Sequence, residues 1–444
     1  MHLQQSIFLF FSQQLDGPFV WTKTAQGHIL GAFFYGYLVS QVPAGMLAEH
    51  VGGKWVFTGI MAVTAIPTLL TPPAANISYK MLIVLRVLVG IGSGGIFPVM
   101  HVMWSQWSPP LERSKLTGIT YAGAMMGSVV ALPLSGVLCQ HGFAGGWPSV
   151  FYLIGGATLV MMVVWVLLIS DSPETDRKIS SAERMYILTS LKPEQSAHSK
   201  KRAMPWLSFL KSGPLWAIIV ANFTSDWGLY TLLTNIPTYM KDVLHRDIQS
   251  NGMLSALPFL GLWLNMNISP IIADKLRSTH ILNTTRTRKL FTCIGQVGAA
   301  VFLVALAYLD HTQWILAIVL LTIGVAVSGS AYSGYLINHI DLAPKYAGTL
   351  FGISNCIAAT SGFMTPYVAA VLTPNRTQEE WQIVFFIAAA VYVCGAIFYG
   401  IFGSGDLQPW AVDKEVIDAG ELNSLNPPKQ NGDMTKEQEA NEVV

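Results

Sequence analysis

Charge is scarce in this sequence. Only 11% of the 444 residues are Asp, Glu, Lys or Arg, where a soluble domain usually carries about 25%. The deficit runs along the whole chain, which excludes a single apolar anchor on a soluble body. The two signs nearly cancel, at +1 net, so the basic surface that a nucleic acid requires is missing. Cysteine is rare too. Cys139, Cys293, Cys356 and Cys394 fall in apolar segments without paired or metal-ligand spacing and read as packing residues. No nucleophile–base pair, metal-ligand cluster or phosphate-cradling loop stands out, and the histidines lie scattered, so the chain does not read as an enzyme. No cofactor or metal is expected.

What is abundant is apolar. Hydrophobic residues make up 52% of the chain, with 39 glycines, a residue that membrane helices tolerate because neighbouring helices satisfy the freed backbone. Eleven runs are long enough to cross ~30 Å of hydrocarbon: 27–49, 54–74, 80–106, 114–139, 147–169, 213–240, 250–274, 288–309, 313–338, 344–372 and 380–403. The expectation is an all-α polytopic membrane protein. An N-terminal segment (1–26) leads into a five-span bundle (27–169), a polar central loop (170–212), a six-span bundle (213–403) and a polar, disordered tail (404–444). Within the central loop, Ile187, Leu188 and Leu191 form a short amphipathic pattern suited to the membrane surface. The run Ser6–Phe11 is too short to span and lacks the flanks of a signal peptide.

Lys and Arg sort by side. Loops 50–54, 107–116, 170–212, 275–289 and 339–345 hold 17 of them, whereas the alternate loops hold only Lys80, Lys241, Arg246 and Arg376. The first set, and the C-terminus with it, is expected in the cytoplasm. Two glycosylation sequons, beginning at Asn76 and Asn375, fall on the opposite side.

An internal repeat is visible. Gly45-Met-Leu-Ala48-Glu49 parallels Pro270-Ile-Ile-Ala273-Asp274, each ending an apolar run. Leu116-x-Gly118-Ile119-Thr120-x-x-x-Ala124 parallels Leu350-x-Gly352-Ile353-Ser354-x-x-x-Ala358, with Pro133 and Pro366 beyond. Two matches in one order suggest duplicated halves. Run 27–49 then pairs with the second run of the later half, so the implied plan is 6+6 with the first helix missing.

Several motifs are more specific than hydropathy. Gly45-x-x-Ala48-Glu49-x-x-Gly52-Gly53-Lys54 resembles the loop signature of the major facilitator superfamily. Phe33-Phe34-Tyr35-Gly36-Tyr37, then Gln41-Val-Pro43-x-Gly45, resembles its animal anion transporter family, the group of sialin, vesicular glutamate and sodium–phosphate transporters. So do Phe97-Pro98-x-Met100-His101-x-Met103-Trp104 and Leu132-Pro133-Leu134-Ser135-Gly136. Tyr230-Thr231-Leu232-Leu233-Thr234 and Ile337-Asn338-His339-x-Asp341-x-Ala343-Pro344 are similar to the sialin-like branch. The likeness covers roughly residues 26–411 and implies two pseudo-symmetric bundles that alternate access to a midplane site.

Ionisable residues inside apolar runs are costly, about 2.5–3.5 kcal/mol on insertion scales, so each asks for a reason. Arg86 offers a planar fork to a carboxylate or phosphate, and the resemblance places the matching arginine in the substrate cavity; snorkelling to the interface is its alternative. The sialin-like pattern has acidic residues where this chain has Val89 and Ser93, and those carboxylates are associated with proton coupling. Asp226, near the middle of its run, could take over that role, pair with Arg86 or simply line a wet cavity. His101 is a second coupling candidate, although helical rise puts it roughly 22 Å from Arg86, and a structural hydrogen bond is its plainer use. Tyr37, Tyr121, Tyr230, Phe33 and Phe34 could shape a pocket or pack as ordinary helix contacts. Glu49 with Lys54, Glu112 with Arg113, and Asp274 with Arg277 are candidates for a cytoplasmic gate.

The resemblance therefore implies a transporter of small organic anions. Acidic sugars such as sialic acid come first, then acidic amino acids or phosphate, with proton or sodium as coupling ion. The expected setting is a lysosomal or vesicular membrane, or else the plasma membrane, as a monomer. The alternative is a truncated membrane protein that does not transport.

Overall fold

The computed structural model describes residues 21, 23–196, 204–243, 252–309 and 311–412. The Ser6–Phe11 run lies outside the described residues. Helices occupy each apolar run. In the first half these are α1 (Lys23–Val51), α2 (Gly53–Ile77), α3 (Tyr79–Trp107), α4 (Arg113–His141) and α5 (Pro148–Leu168). The linker carries α6 (Ser181–Ser196) and α7 (Trp206–Lys211). The second half holds α8 (Gly213–Asp242), α9 (Gly252–Ser278), α10 (Thr284–Ala307), α11 (Trp314–Ser328), α12 (Asn338–Leu342), α13 (Ala347–Ala359), α14 (Ser361–Leu372) and α15 (Gln378–Phe402). Among the described residues, eight helical stretches are long and apolar enough to cross a membrane by length and composition.

Local chemistry explains where the helices begin. Ser78 accepts the Lys80 N–H ahead of α3, Asn283 accepts the Arg286 N–H ahead of α10, and Thr377 with Glu380 forms a capping box on α15. Asp171, beyond the end of α5, accepts the Lys54 N–H at 2.7 Å and so caps α2. It lies against Gly52, whose φ of 107° suits glycine and little else.

Two apolar runs that look continuous in sequence are broken. Run 313–338 leaves the α-helix at Ser328 and passes through a 3₁₀ turn, Gly329–Ser333. The small and polar residues there serve close approach and hydrogen bonding: a side chain on Gly334 would collide with Thr292 of α10, and Ser330 receives an N–H from Asn265 at 3.0 Å. Run 344–372 is interrupted at Thr360, a single residue between α13 and α14. The linker pattern is no surface float either. Ile187 and Leu191 are buried, and Tyr186 at the same helix donates its hydroxyl to Glu112 at 2.7 Å. Nor does the tail start loose at Ser404. Leu407, Ala411 and Val412 bury beside Phe209, Leu215 and Tyr346, and the Gln408 N–H bonds the Leu342 carbonyl at 3.0 Å. The apolar residues between polar ones in this stretch explain the docking; residues 413–444 lie outside the described part.

Within the first half, α1 lies along α3, and α2 packs on α3 and α5; within the second, α8 and α10 both pack on α15. The α1–α3 contact is a backbone approach. Side chains on Gly36, Gly90 or Gly94 would collide with the opposing main chain. Between halves, α1 packs on α13 and α4 on α9. These four helices carry the repeated motifs, so the two contacts are equivalents of one another. A Cβ on Gly352 would meet the Gln41 carbonyl at 2.8 Å, and one on Gly118 the Met266 carbonyl at 3.1 Å. Further along α4, Gly123, Gly127 and Gly136 have nothing within 4 Å of an added Cβ among the described residues. The halves are thus tightly joined at the end that carries most of the Lys and Arg, hereafter the basic face.

Candidate functional site

The basic face is closed by a reciprocal latch. Glu49, at the end of α1, accepts the backbone N–H and the hydroxyl of Thr349, both at 2.7 Å, in the first turn of α13. Asp274, near the end of α9, accepts the Lys115 N–H at 2.7 Å and the Ser114 N–H at 3.3 Å in the first turn of α4. By the sequence repeat, Glu49 matches Asp274 and Thr349 matches Lys115. Each carboxylate therefore caps a helix of the opposite half, where orphan N–H groups and the positive end of the helix dipole favour an anion.

Between the two caps lies a buried charge cluster. Asp341 is bracketed by Arg113 at 3.1 Å and Arg288 at 2.7 Å, with all three side chains at most 3% exposed. Arg288 also donates to the Ser114 hydroxyl and the Ser333 carbonyl. Arg277 donates to the Pro110 carbonyl at 2.7 Å and pairs with Asp274 at 3.7 Å. Two of the sequence pairings take other partners. Glu112 sits in the turn before α4 and Arg113 opens the helix, and they point apart, one to Tyr186 and the other to Asp341. Glu49 and Lys54 are separated by the break at Gly52; the Lys54 ammonium lies 5.2 Å from the centre of the Trp55 ring. Lys54 thus stands outside the latch, whereas Glu49, Arg113, Asp274 and Arg277 build it.

Inward of the latch, Asn355 of α13 donates to the Tyr37 hydroxyl at 3.1 Å and to the Gln41 side-chain oxygen at 2.7 Å, a further bridge between halves. Tyr37 stacks on Phe33 at 5.8 Å between ring centres, and Phe34 meets Phe33 edge-on. Tyr230 of α8 and Phe34 converge over Gly362 of α14. Asp226 lies one turn before Tyr230, on the same face of α8. It is half-buried.

His101 is fully buried and occupied on both nitrogens. Its Nε2 lies 3.0 Å from the Leu336 carbonyl, and its Nδ1 lies 2.9 Å from the Tyr121 hydroxyl and 3.1 Å from the Phe97 carbonyl. A neutral ring with its proton on Nε2 donates to Leu336 and accepts from Tyr121. His339 meets the same Leu336 carbonyl at 2.9 Å, and Phe351 stacks on His101 at 4.0 Å. This arrangement ties α3 and α4 to the second half. Arg86 precedes His101 by fifteen residues on α3. It is 4% exposed on α3, with its guanidinium 5.8 Å from the centre of the Phe151 ring of α5. Val89 and Ser93, on its face of the helix, are buried.

The structure thus sets Tyr37, Tyr121, Tyr230, Phe33 and Phe34 at contacts between the halves, with Asp226 one turn from Tyr230 on α8 and Arg86 against Phe151 of α5. Sequence reasoning missed Arg288, Thr349, Asn355, Tyr332, Tyr335 and Tyr392. Arg288 was legible only as one of five basic residues in a loop, and the tyrosines only as apolar-run residues. The repeat itself could have flagged Thr349, since it aligns with the start of α4.

A model of the Major Facilitator Superfamily matches residues 1–366. Sialin of Homo sapiens is 47% identical over 400 residues, spanning 90% of this chain and 79% of that protein. Vesicular glutamate transporter 2 of Homo sapiens is 40% identical over 424 residues, spanning 94% of this chain and 72% of that protein. Among solved structures, the proton:xylose symporter XylE bound to 6-bromo-6-deoxy-D-glucose superposes with a TM-score of 0.72. It covers 96% of this chain and 94% of that one at 14% identity, a likeness of fold.

Proposed function

This chain belongs to the major facilitator superfamily, within its animal anion transporter branch, and from that premise we propose that it is a secondary transporter of small organic anions. The observation that carries the proposal is the reciprocal latch. Glu49 and Asp274 hold one face shut through contacts that cross between halves, and such contacts can break as a pair when the halves rock. Opening them would expose the interior tyrosines to the basic face, which in this reading is the cytoplasmic one.

In this reading Arg86 holds a carboxylate of the substrate, and Phe33, Phe34, Tyr37, Tyr121 and Tyr230 shape the pocket. Glu49, Arg113, Asp274 and Arg277 form the gate, extended by Arg288 and Asp341. Asp226 is the coupling group, with a proton as its ion, and the histidine pair at His101 keeps the halves in register. Acidic sugars and acidic amino acids are the substrate classes, in a lysosomal or vesicular membrane; the relatives named sialin and vesicular glutamate transporter support that choice. The test is uptake of labelled sialic acid and glutamate into vesicles containing this chain, with and without an imposed proton gradient. Saturable uptake stimulated by the gradient is the expected result. No uptake by verified, inserted protein sinks the transport reading.

A further inference from the structure

The linker helix α7 has two unlike faces. One is anchored in the second half: Phe209 is 3% exposed and meets the ring of Tyr346 at 5.7 Å and that of Trp410 at 5.1 Å. The other stays bare. Leu207 and Leu210 are both 65% exposed, Trp206 is exposed with them, and helical periodicity places the three on one side. Trp216, early in α8, extends the patch. It too is exposed, and its indole N–H donates to the Leu210 carbonyl at 2.8 Å. The linker helix α6 differs, since its Ile187 and Leu191 are buried.

The place of α7 in the chain says what lies against the patch. A single residue, Ser212, separates α7 from α8. Its N–H bonds the Phe209 carbonyl at 3.2 Å, and its hydroxyl accepts the Leu215 N–H at 3.4 Å as the cap of α8. Because α8 occupies an apolar run of membrane-spanning length, α7 stands at the boundary of the bilayer on the basic face. Charge at this boundary has one sign. From Gln195 to Ser225 the sequence holds Lys200, Lys201, Arg202 and Lys211, and no Asp or Glu. Residues 200–202 lie outside the described residues. Lys211 is exposed at the end of α7, and the Lys345 ammonium lies 5.8 Å from the centre of the Tyr346 ring against which Phe209 packs.

Leucines and indoles at such a boundary enter the zone between headgroups and acyl chains, while lysines beside them reach out to the headgroups. A stretch with basic residues and no acidic ones attracts an anionic leaflet and has nothing to offer a cationic one. We infer that α7 is an interfacial foot, which seats Trp206, Leu207, Leu210 and Trp216 in the leaflet at the basic face and draws anionic phospholipids to it. Phe209 ties this foot to Tyr346, just before the turn of α13 that Glu49 caps, so the lipid contact adjoins the latch. The inference stands apart from the transport reading and needs only a chain that spans a bilayer.

The test is photo-crosslinking of the full chain in vesicles of phosphatidylcholine and phosphatidylserine. A benzophenone amino acid replaces Leu207, or Leu210, or, as a control, Glu183, which is exposed on α6. The first two positions should give phospholipid adducts by intact mass, at least about tenfold above the control, because only they enter the leaflet. Phosphatidylserine should exceed its share of the vesicle among those adducts by about two- to fivefold, and Lys211→Gln should lower that excess. No lipid adduct at either leucine overturns the inference, as does an equal yield from Glu183. Adducts in proportion to the bulk lipid overturn the choice of anionic headgroups. If the labelled chains fail to insert, phosphatidylserine retained through purification decides, compared between the native chain and Lys211→Gln: lower retention by the variant supports the inference, and equal retention overturns it.

Discussion

Glu49 and Asp274 hold equivalent places in the two repeats, and each caps the helix that begins the matching motif of the other half. The latch is therefore a symmetric device, and losing either cap should weaken the same closure. The cost of each is that of a charge-assisted hydrogen bond, about 1.5–3 kcal/mol.

Glu49→Gln and Asp274→Asn should each shift the protein towards a state open at the basic face, and the double variant should shift it further. Cys356 reports the change, because its thiol faces the Leu38 carbonyl in the α1–α13 contact at 3.5 Å. Labelling of Cys356 by a maleimide should accelerate several-fold in both single variants. Unchanged labelling would mean that the caps do not hold the face shut.

Asp341→Asn should be among the most destabilising substitutions at this face. It leaves the buried Arg113 and Arg288 guanidiniums without their shared carboxylate, and breaking a buried pair typically costs about 3–5 kcal/mol. Thermal melting of the detergent-solubilised protein should fall clearly below native. Removing one cation with Arg113→Met should do less harm, since Arg288 still neutralises Asp341.

Arg86→Ala should abolish anion uptake while leaving insertion and melting near native. Arg86→Lys keeps the charge and loses the planar fork, so it should restore uptake only in part. Full uptake by the alanine variant would remove Arg86 from the binding site.

Asp226→Asn should remove the stimulation of uptake by an imposed proton gradient, because no titrating group would remain at that place. Uptake that still follows the gradient would leave the residue as part of the cavity wall.

How much of this was visible in the chain divides along physical lines. The spans were legible because the lipid core demands long apolar runs, and Glu49 and Asp274 were legible because duplication leaves matching motifs. Their partners were not. Thr349 lies 300 residues from Glu49, and Asp341 lies 228 from Arg113, so hydropathy and spacing carry no trace of the pairing. The same holds for Tyr332 and Tyr335, whose rings meet at 6.2 Å where the backbone leaves the α-helix at Ser328, and an apolar run does not announce such a break. Glu112 and Arg113 show the opposite error, in which nearness in sequence suggested a pair whose members take separate partners, Tyr186 and Asp341.

The docking of the linker has a mechanical consequence. Its α6 is held by the first half, through Glu112, and its α7 by the second, through Phe209 against Tyr346 and Trp410. The linker therefore grips each half at its own contact, so a substitution at Tyr186 should loosen it from the first half alone and one at Phe209 from the second alone.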